Sequence, residues 1–329
     1  MNIHSLTRLS SILLAGCLMF GPLTARAQEA GAGRMTLVVP LAAGGAMDTI
    51  VRVLAPRLQT AFGRPVIVEN RTGGGTVTGA VSVAKATPDG NTLLVAPSAT
   101  VTTNVSLYKS LSYDPVKDFI PVGLYARVPF VLVANAQTGI TTLKGLVDHA
   151  RANPGKLSYA STGVGTTPHL AGEMLKAMTD IDIVHVPYRG SPPALNDLVG
   201  GHVQLAFADP LLVQPLIEAG KVSAIGTTSL TRMAALPNVP TMVQNGLDGF
   251  DAVSWHMVMA PVGTPMALIG RLNAVIREFA ADAQVQKQMT GMGMIPVVTP
   301  DPSELAVFLR TEIDRWTSVV RRAGIAGSQ

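Results

Sequence analysis

Residues 38–50, VVPLAAGGAMDTI, join an apolar run to the start of a helical pattern through a loop with few side chains. Pro40 ends the run because proline cannot donate to a strand ladder. Gly44 and Gly45 permit positive φ and a close approach of the backbone to another group. The first amides of a helix lack partners within it and lie at the positive end of its dipole, so this loop favours a bound anion. Asp48, at the start of this helix, is a further ligand-binding candidate; the alternative interpretation is a plain βα turn in which Asp48 only stabilises the helix start.

A second loop has the same construction in the other half of the chain. Residues 161–169, STGVGTTPH, follow the apolar run 157–160 and precede another helical pattern, with hydroxyls added to the glycines. Hydroxyls can donate to ligand oxygen atoms or cap the helix, and Pro168 suits its first turn. Two such loops facing each other across a cleft would clamp an anion. The side-chain candidates here are Ser161, Thr162, Thr166, Thr167 and His169, of which the histidine can either line the pocket or simply pack.

A third loop begins at Asp209, at the end of the strand-like run in FADP, residues 207–210. Its carboxylate can accept a hydrogen bond from a ligand amine or hydroxyl, or it can cap the helix that begins at Pro210. Arg189 is a possible carboxylate partner or a structural loop arginine. The sequence leaves these alternatives open.

Short apolar runs alternate with helical patterns, such as 46–62, along the rest of the chain. This alternation predicts an α/β fold with parallel sheets built from βαβ units. The 329 residues are 47% hydrophobic and only 5% aromatic, which favours two domains with aliphatic cores. The formal charge is only +4, and basic residues do not cluster with aromatic ones, so nucleic acid is not an expected partner.

The N-terminal segment has the pattern of an export signal. Arg8 precedes the apolar stretch 9–23, and ARA at 25–27 fits a small-x-small cleavage site. We therefore expect residues 1–27 to be a removed signal peptide. LAGC at 14–17 also fits a lipobox, so lipid attachment at Cys17 is a lesser alternative. Cys17 is the only cysteine, and its removal would exclude a disulfide, a cysteine metal site and a thiol nucleophile.

Signatures of catalysis are missing. GGGTVTG at 73–79 lacks the order of a dinucleotide-binding motif and the lysine of a P-loop. The chain contains no G-x-S-x-G, and its six histidines show no metal-binding spacing. We expect no catalytic residues, no metal and no cofactor.

A series of short blocks follows in order along the chain, and together they carry a family resemblance. The blocks are VVPLAAGGAMD (38–48), VIVENRTGGG (66–75), ATPDGNTLLVAPS (86–98), LSYDPVKDFIPVG (111–123), NPGKLSYASTGVGTTPHLAGE (153–173), IVHVPYRGSPPALNDLVGG (183–201), IEAGKVSAIGTTS (217–229), LPNVPT (236–241) and APVGTP (260–265). With these blocks the chain resembles the substrate-binding proteins of tripartite tricarboxylate transporters, the Bug family of extracytoplasmic solute receptors.

The resemblance implies a type II periplasmic-binding-protein fold, in which two α/β lobes joined by crossing strands enclose a ligand cleft. Lobe 1 would comprise residues 33–134 and 256–329, and lobe 2 residues 135–255. The resemblance also implies a periplasmic receptor that passes a small carboxylate to the permease subunits of such a transporter. Di- and tricarboxylates, acidic amino acids and aromatic acids are the ligand classes implied. The resemblance further implies that the ligand carboxylate is contacted by the residues Leu41, Ala42, Ala43, Gly44, Gly45, Ser98, Ser161, Gly165, Thr166 and Thr167.

Two other functions are compatible with the same cleft. A sensor component would present ligand to a two-component signalling protein instead of a permease. A small-molecule enzyme would need an activated nucleophile or an acid–base pair, and the sequence shows no strong pair of this kind.

Overall fold

The computed structural model describes residues 33–329, so the predicted signal segment 1–27 and Cys17 lie outside the described residues. The described strands form two sheets. The first has, in spatial order, β11 (Ile295–Pro296), β4 (Phe119–Val128), β10 (Ser254–Pro261), β3 (Thr92–Pro97), β1 (Met35–Val39) and β2 (Val66–Asn70). The second has β7 (Val184–Pro187), β6 (Ser158–Ser161), β8 (Leu205–Ala208), β5 (Val131–Asn135) and β9 (Val222–Thr227).

Helices cover the sheets. They are α1 (Ala46–Phe62), α2 (Val77–Ala84), α3 (Ser98–Val101), α4 (Thr103–Leu107), α5 (Leu143–Ala152), α6 (Thr167–Thr179), α7 (Ser191–Val199), α8 (Pro210–Glu218), α9 (Met266–Ala281), α10 (Ala283–Gly291) and α11 (Pro302–Arg322). All five residues of β1 are buried, as expected for a parallel strand with helices on both faces. Within residues 33–329, no helix combines the length and the apolar character that a membrane crossing requires.

The sheets are mixed, so the expectation of parallel sheets is only partly correct. β1 runs parallel to β2 and β3, and β6 runs parallel to β7 and β8. In contrast, β10 is antiparallel to β3 and β4, and β5 is antiparallel to β8 and β9. β5 and β10 lie next to the chain connections between the two sheets, where no βαβ crossover requires a parallel direction.

The chain passes twice between the sheets. It leaves the first sheet after Val128, enters the second at Val131, and returns between Thr227 and Ser254. The prediction of two α/β units joined by crossing strands is thereby confirmed. We call each sheet with its helices the first and the second lobe. The residue boundaries 134/135 and 255/256 stay a proposal, and they cut through β5 and β10, each of which pairs wholly within one sheet.

The predicted binding loops lie at the carboxyl edges of the two sheets. β1 leads into α1, and β6 leads into α6. Such edges are where open α/β sheets bind ligands. The two edges are in contact, since the Ala42 amide of the first lobe donates to the Arg189 carbonyl of the second at 2.9 Å.

Candidate functional site

The first loop is held in shape by Asp48. This buried carboxylate accepts hydrogen bonds from the Gly44 amide at 3.0 Å, from Arg52 at 2.9 Å and from Asn70 at 3.0 Å. Burial raises the pKa of Asp48, but these hydrogen bonds outweigh burial and lower the pKa below its ordinary value. Gly44 takes φ +84°, which glycine adopts at little cost. The N-cap residue of α1 is Gly45, which has no side chain to cap the helix, so the first amides of α1 lack a local cap.

The second loop is held by its own hydroxyls and by a histidine. The Thr166 hydroxyl donates to the Gly163 carbonyl at 2.6 Å. The Gly165 amide donates to His169 Nδ1 at 3.0 Å. Ser161 Oγ lies 2.7 Å from His185 Nε2. These bonds fix the loop before α6, and they use part of the hydrogen-bonding capacity that the sequence offered for a ligand.

The two loops share a cavity between the lobes. It is narrow, about 30 Å³, which is room for about two water molecules. A further contact between the lobes is made by Ser98, whose Oγ is 3.4 Å from Thr167 Oγ1. The cavity is lined by Leu41, Ala42, Gly45, Ala46, Met47, Asp48, Pro97, Ala99, Phe130, Thr162, Thr166, Thr167, Pro168, Gly190, Ser191, Asp209, Ser254 and His256.

The structure brings together eight of the fourteen residues predicted to bind ligand. Those that line the cavity are Leu41, Ala42, Gly45, Asp48, Thr162, Thr166, Thr167 and Asp209. Those outside its lining are Ala43, Gly44, Ser98, Ser161, Gly165 and His169. Of these six, Ala43 and Gly44 are exposed, whereas His169 is buried and its ring stacks on His185 with centroids 4.0 Å apart.

Asp209 reaches across the cleft. It stands at the N-cap position of α8, but its side chain makes no capping bond there. Its Oδ2 instead lies 3.4 Å from the Ala46 amide, at the start of α1 in the first lobe. Burial raises the pKa of this carboxyl, and the hydroxyl of Ser191 beside it works in the opposite direction. The capping alternative raised by the sequence is therefore wrong for the side chain.

Several lining residues were not predicted from the sequence. Ser191 and His256 are 2% and 4% exposed, and each has a polar atom, Oγ and Nδ1, without a hydrogen-bond partner among the described residues. Burial lowers the pKa of His256 to about 3, so its ring is neutral. The sequence holds a signal for His256, because a histidine within the apolar run SWHMVMA is an unusual buried polar residue. Arg189 is exposed and lies in a groove outside this cavity.

Ser161 and His185 are placed like a hydroxyl beside a general base, but the Ser161 hydroxyl is not accessible to a substrate. Ser161 is fully buried, and its hydroxyl also bonds Gly163 within the loop. Burial lowers the pKa of His185 to about 3, so it is a weak base. The pair therefore supports the loop and does not form a reactive centre. Among residues 33–329, no group of three or more His, Cys, Asp or Glu side chains is placed to hold a metal ion.

The family model described as "Tripartite tricarboxylate transporter family receptor" matches residues 50–325. The chain is 35% identical to the protein BugT of Bordetella pertussis, over 98% of this chain and 99% of that one. It is also similar to two solved structures. One is the periplasmic binding protein BugD, with TM-score 0.85 and 33% identity over 90% of this chain and 99% of that chain. The other is R. palustris Rpa4515 with adipate, with TM-score 0.85 and 34% identity over 90% and 98%.

Proposed function

The chain belongs to the tripartite tricarboxylate transporter receptor family, and from this premise we propose that it captures a small carboxylate between its lobes and delivers it to the transporter's permease. It would act in the periplasm after removal of residues 1–27. Ligand would be held without being transformed. The adipate bound by the similar Rpa4515 structure belongs to the same chemical class.

One observation carries this proposal: the loop before α1 and the loop before α6 both line the same cavity between the lobes. Each loop ends at the positive end of a helix dipole, where a carboxylate is favoured. Thr162, Thr166 and Thr167 add hydroxyls to the same wall. Amides and hydroxyls can together satisfy a carboxylate without a cationic side chain.

Opening of the lobes is part of the proposed mechanism. The cavity of about 30 Å³ is far below the few hundred Å³ typical of ligand sites, so a ligand must enter while the lobes are apart. Closure then adds contacts from both lobes, and the ligand stabilises the closed form in proportion to its greater affinity for that form.

A thermal-shift screen of the mature protein against mono-, di- and tricarboxylates and amino acids tests the proposal. At a hundredfold excess over Kd, a true ligand should stabilise the fold by about 2.7 kcal/mol. Isothermal titration would then give the Kd. Mass spectrometry of the recovered ligand should show it unchanged, and turnover would contradict a receptor role.

Thr166→Ala provides the site-specific arm of this experiment. It removes a lining hydroxyl that also bonds Gly163, so we expect binding to weaken about tenfold. Thr179→Ala is the matched control, because Thr179 is equally buried and bonds Leu175 at the far end of the same helix. A screen in which no carboxylate shifts the melting curve would overturn the proposal.

A further inference from the structure

The charge balance of the cavity wall is unusual for a site that takes an anion. Among the described residues that line it, none is lysine or arginine, and two are carboxylates, Asp48 and Asp209. Asp48 is neutralised by Arg52 and by the loop hydrogen bonds. His256 is neutral. One carboxylate, Asp209, is therefore left without a cationic partner among the lining residues.

The surroundings of Asp209 offer it little compensation. Its hydrogen bond from the Ala46 amide is long, at 3.4 Å. The Ser191 hydroxyl is near enough to Asp209 to lower the pKa of that carboxyl, but it is not aligned for a full hydrogen bond: the residue is 2% exposed, it lines the same cavity, and its Oγ has no partner at hydrogen-bond geometry among the described residues. A buried carboxylate with so few donors is costly to keep ionised. A buried hydroxyl left unpaired adds to that cost.

A bound carboxylate would make this imbalance worse, because two like charges would share a closed space. A ligand that also carries a positive charge removes the conflict. We propose that this receptor selects small carboxylates that bear an ammonium group, with the ammonium held by Asp209 and the Ser191 hydroxyl. This inference rests on the proposed function. The ligand carboxylate would occupy the amides and hydroxyls of the two loops, and the ammonium would lie on the side of α7 and α8.

Ligand pairs that differ only by the ammonium group test the proposal. Isothermal titration at pH 7.5 would compare propionate with alanine, succinate with aspartate, glutarate with glutamate, and 3-phenylpropionate with phenylalanine. In the pairs that bind, the amino member should bind about tenfold to a hundredfold tighter.

Asp209→Asn supplies the residue-specific arm. The amide keeps the size of the side chain and an oxygen for the Ala46 amide, so the fold should persist, which a melting curve checks. The preference for the amino member should disappear in this variant. Ser191→Ala should reduce the preference to a smaller extent, because the carboxylate of Asp209 is kept. Asp248→Asn is the control, since it removes the same charge from an exposed position of the second lobe and should leave the preference intact.

The outcomes distinguish the ammonium assignment from the receptor function. If the unsubstituted acid of a pair binds as tightly as its amino partner, or more tightly, the ammonium assignment is wrong while the carboxylate receptor stands. The assignment is equally wrong if Asp209→Asn weakens both members of a pair to the same extent. That result would indicate instead that Asp209 is protonated and faces a carboxylate of the ligand. If no carboxylate with or without an ammonium binds, the proposed function itself fails.

Discussion

Replacing Gly75 by alanine should weaken ligand binding without changing the cavity, because the new methyl group obstructs the approach of the two lobes. Gly75 belongs to the first lobe and takes φ +55°. A Cβ built on it would lie 2.2 Å from the carbonyl oxygen of Val164, in the second binding loop. Ordinary contact begins near 3.4 Å, so the backbones must separate by more than 1 Å at this point.

The cost falls on the closed form alone, since separated lobes relieve the overlap. Overpacking of this kind costs about 1–3 kcal/mol. At about 1.4 kcal/mol per factor of ten, the apparent Kd should rise about fivefold to a hundredfold. Alanine in the left-handed region adds about 1 kcal/mol to both forms, which lowers stability but leaves the closing equilibrium unchanged.

Isothermal titration with the strongest ligand of the thermal-shift screen measures the effect. Gly139→Ala is the matched control, because Gly139 lies in the second lobe at φ +69° with nothing within 4 Å of the added Cβ. Both variants should lose a similar amount of unfolding free energy, and only Gly75→Ala should lose affinity. Equal affinities in the two variants would refute the view that the closed arrangement is the one that binds.

Two further predictions concern the loops. Burial lowers the pKa of His169 to about 4 from its usual 6.5, so the unfolded chain takes up the proton first. Between pH 6.5 and 4, His169 should therefore contribute about 1.4 kcal/mol per pH unit to the fall in unfolding free energy, beside the contributions of His185 and His256, and urea titrations should show a flatter slope in His169→Asn. Asp48→Ala should lower the unfolding free energy by about 1–3 kcal/mol. Asp148→Ala, which removes an exposed i,i+4 pair, should cost below about 0.5 kcal/mol, and equal losses would contradict the role given to Asp48.

Local patterns predicted much of the fold. The helix expected over 46–62 is α1, with the same bounds, because its glycine start and its apolar periodicity both act over a few residues. β4 was missed. Pro121 and Gly123 interrupt its apolar run, and its pairing with β10 is irregular near Pro121, so neither a period of two nor a continuous run marks it.

The candidate site was predicted only in part, for a related reason. A serine or histidine in a glycine loop has the same sequence signature whether it faces a cavity or the protein behind it. Ser161 and His169 turned inward to His185 and Gly165, whereas Thr162 and Thr166 line the cavity. Ser191 and His256 lie far from both loops in the chain, so no local pattern connected them to the site.

By itself, the sequence determined where backbone amides and hydroxyls are offered to an anion, because glycines, helix starts and strand ends are specified by neighbouring residues. Only the tertiary structure decided which polar atoms face the cavity between the lobes. The carboxylate of Asp209 meets the amide of Ala46 across a separation of 163 residues, and that meeting depends on how two sheets pack against each other. Charge balance inside the cleft is therefore a property of the folded pair of lobes and of neither loop alone.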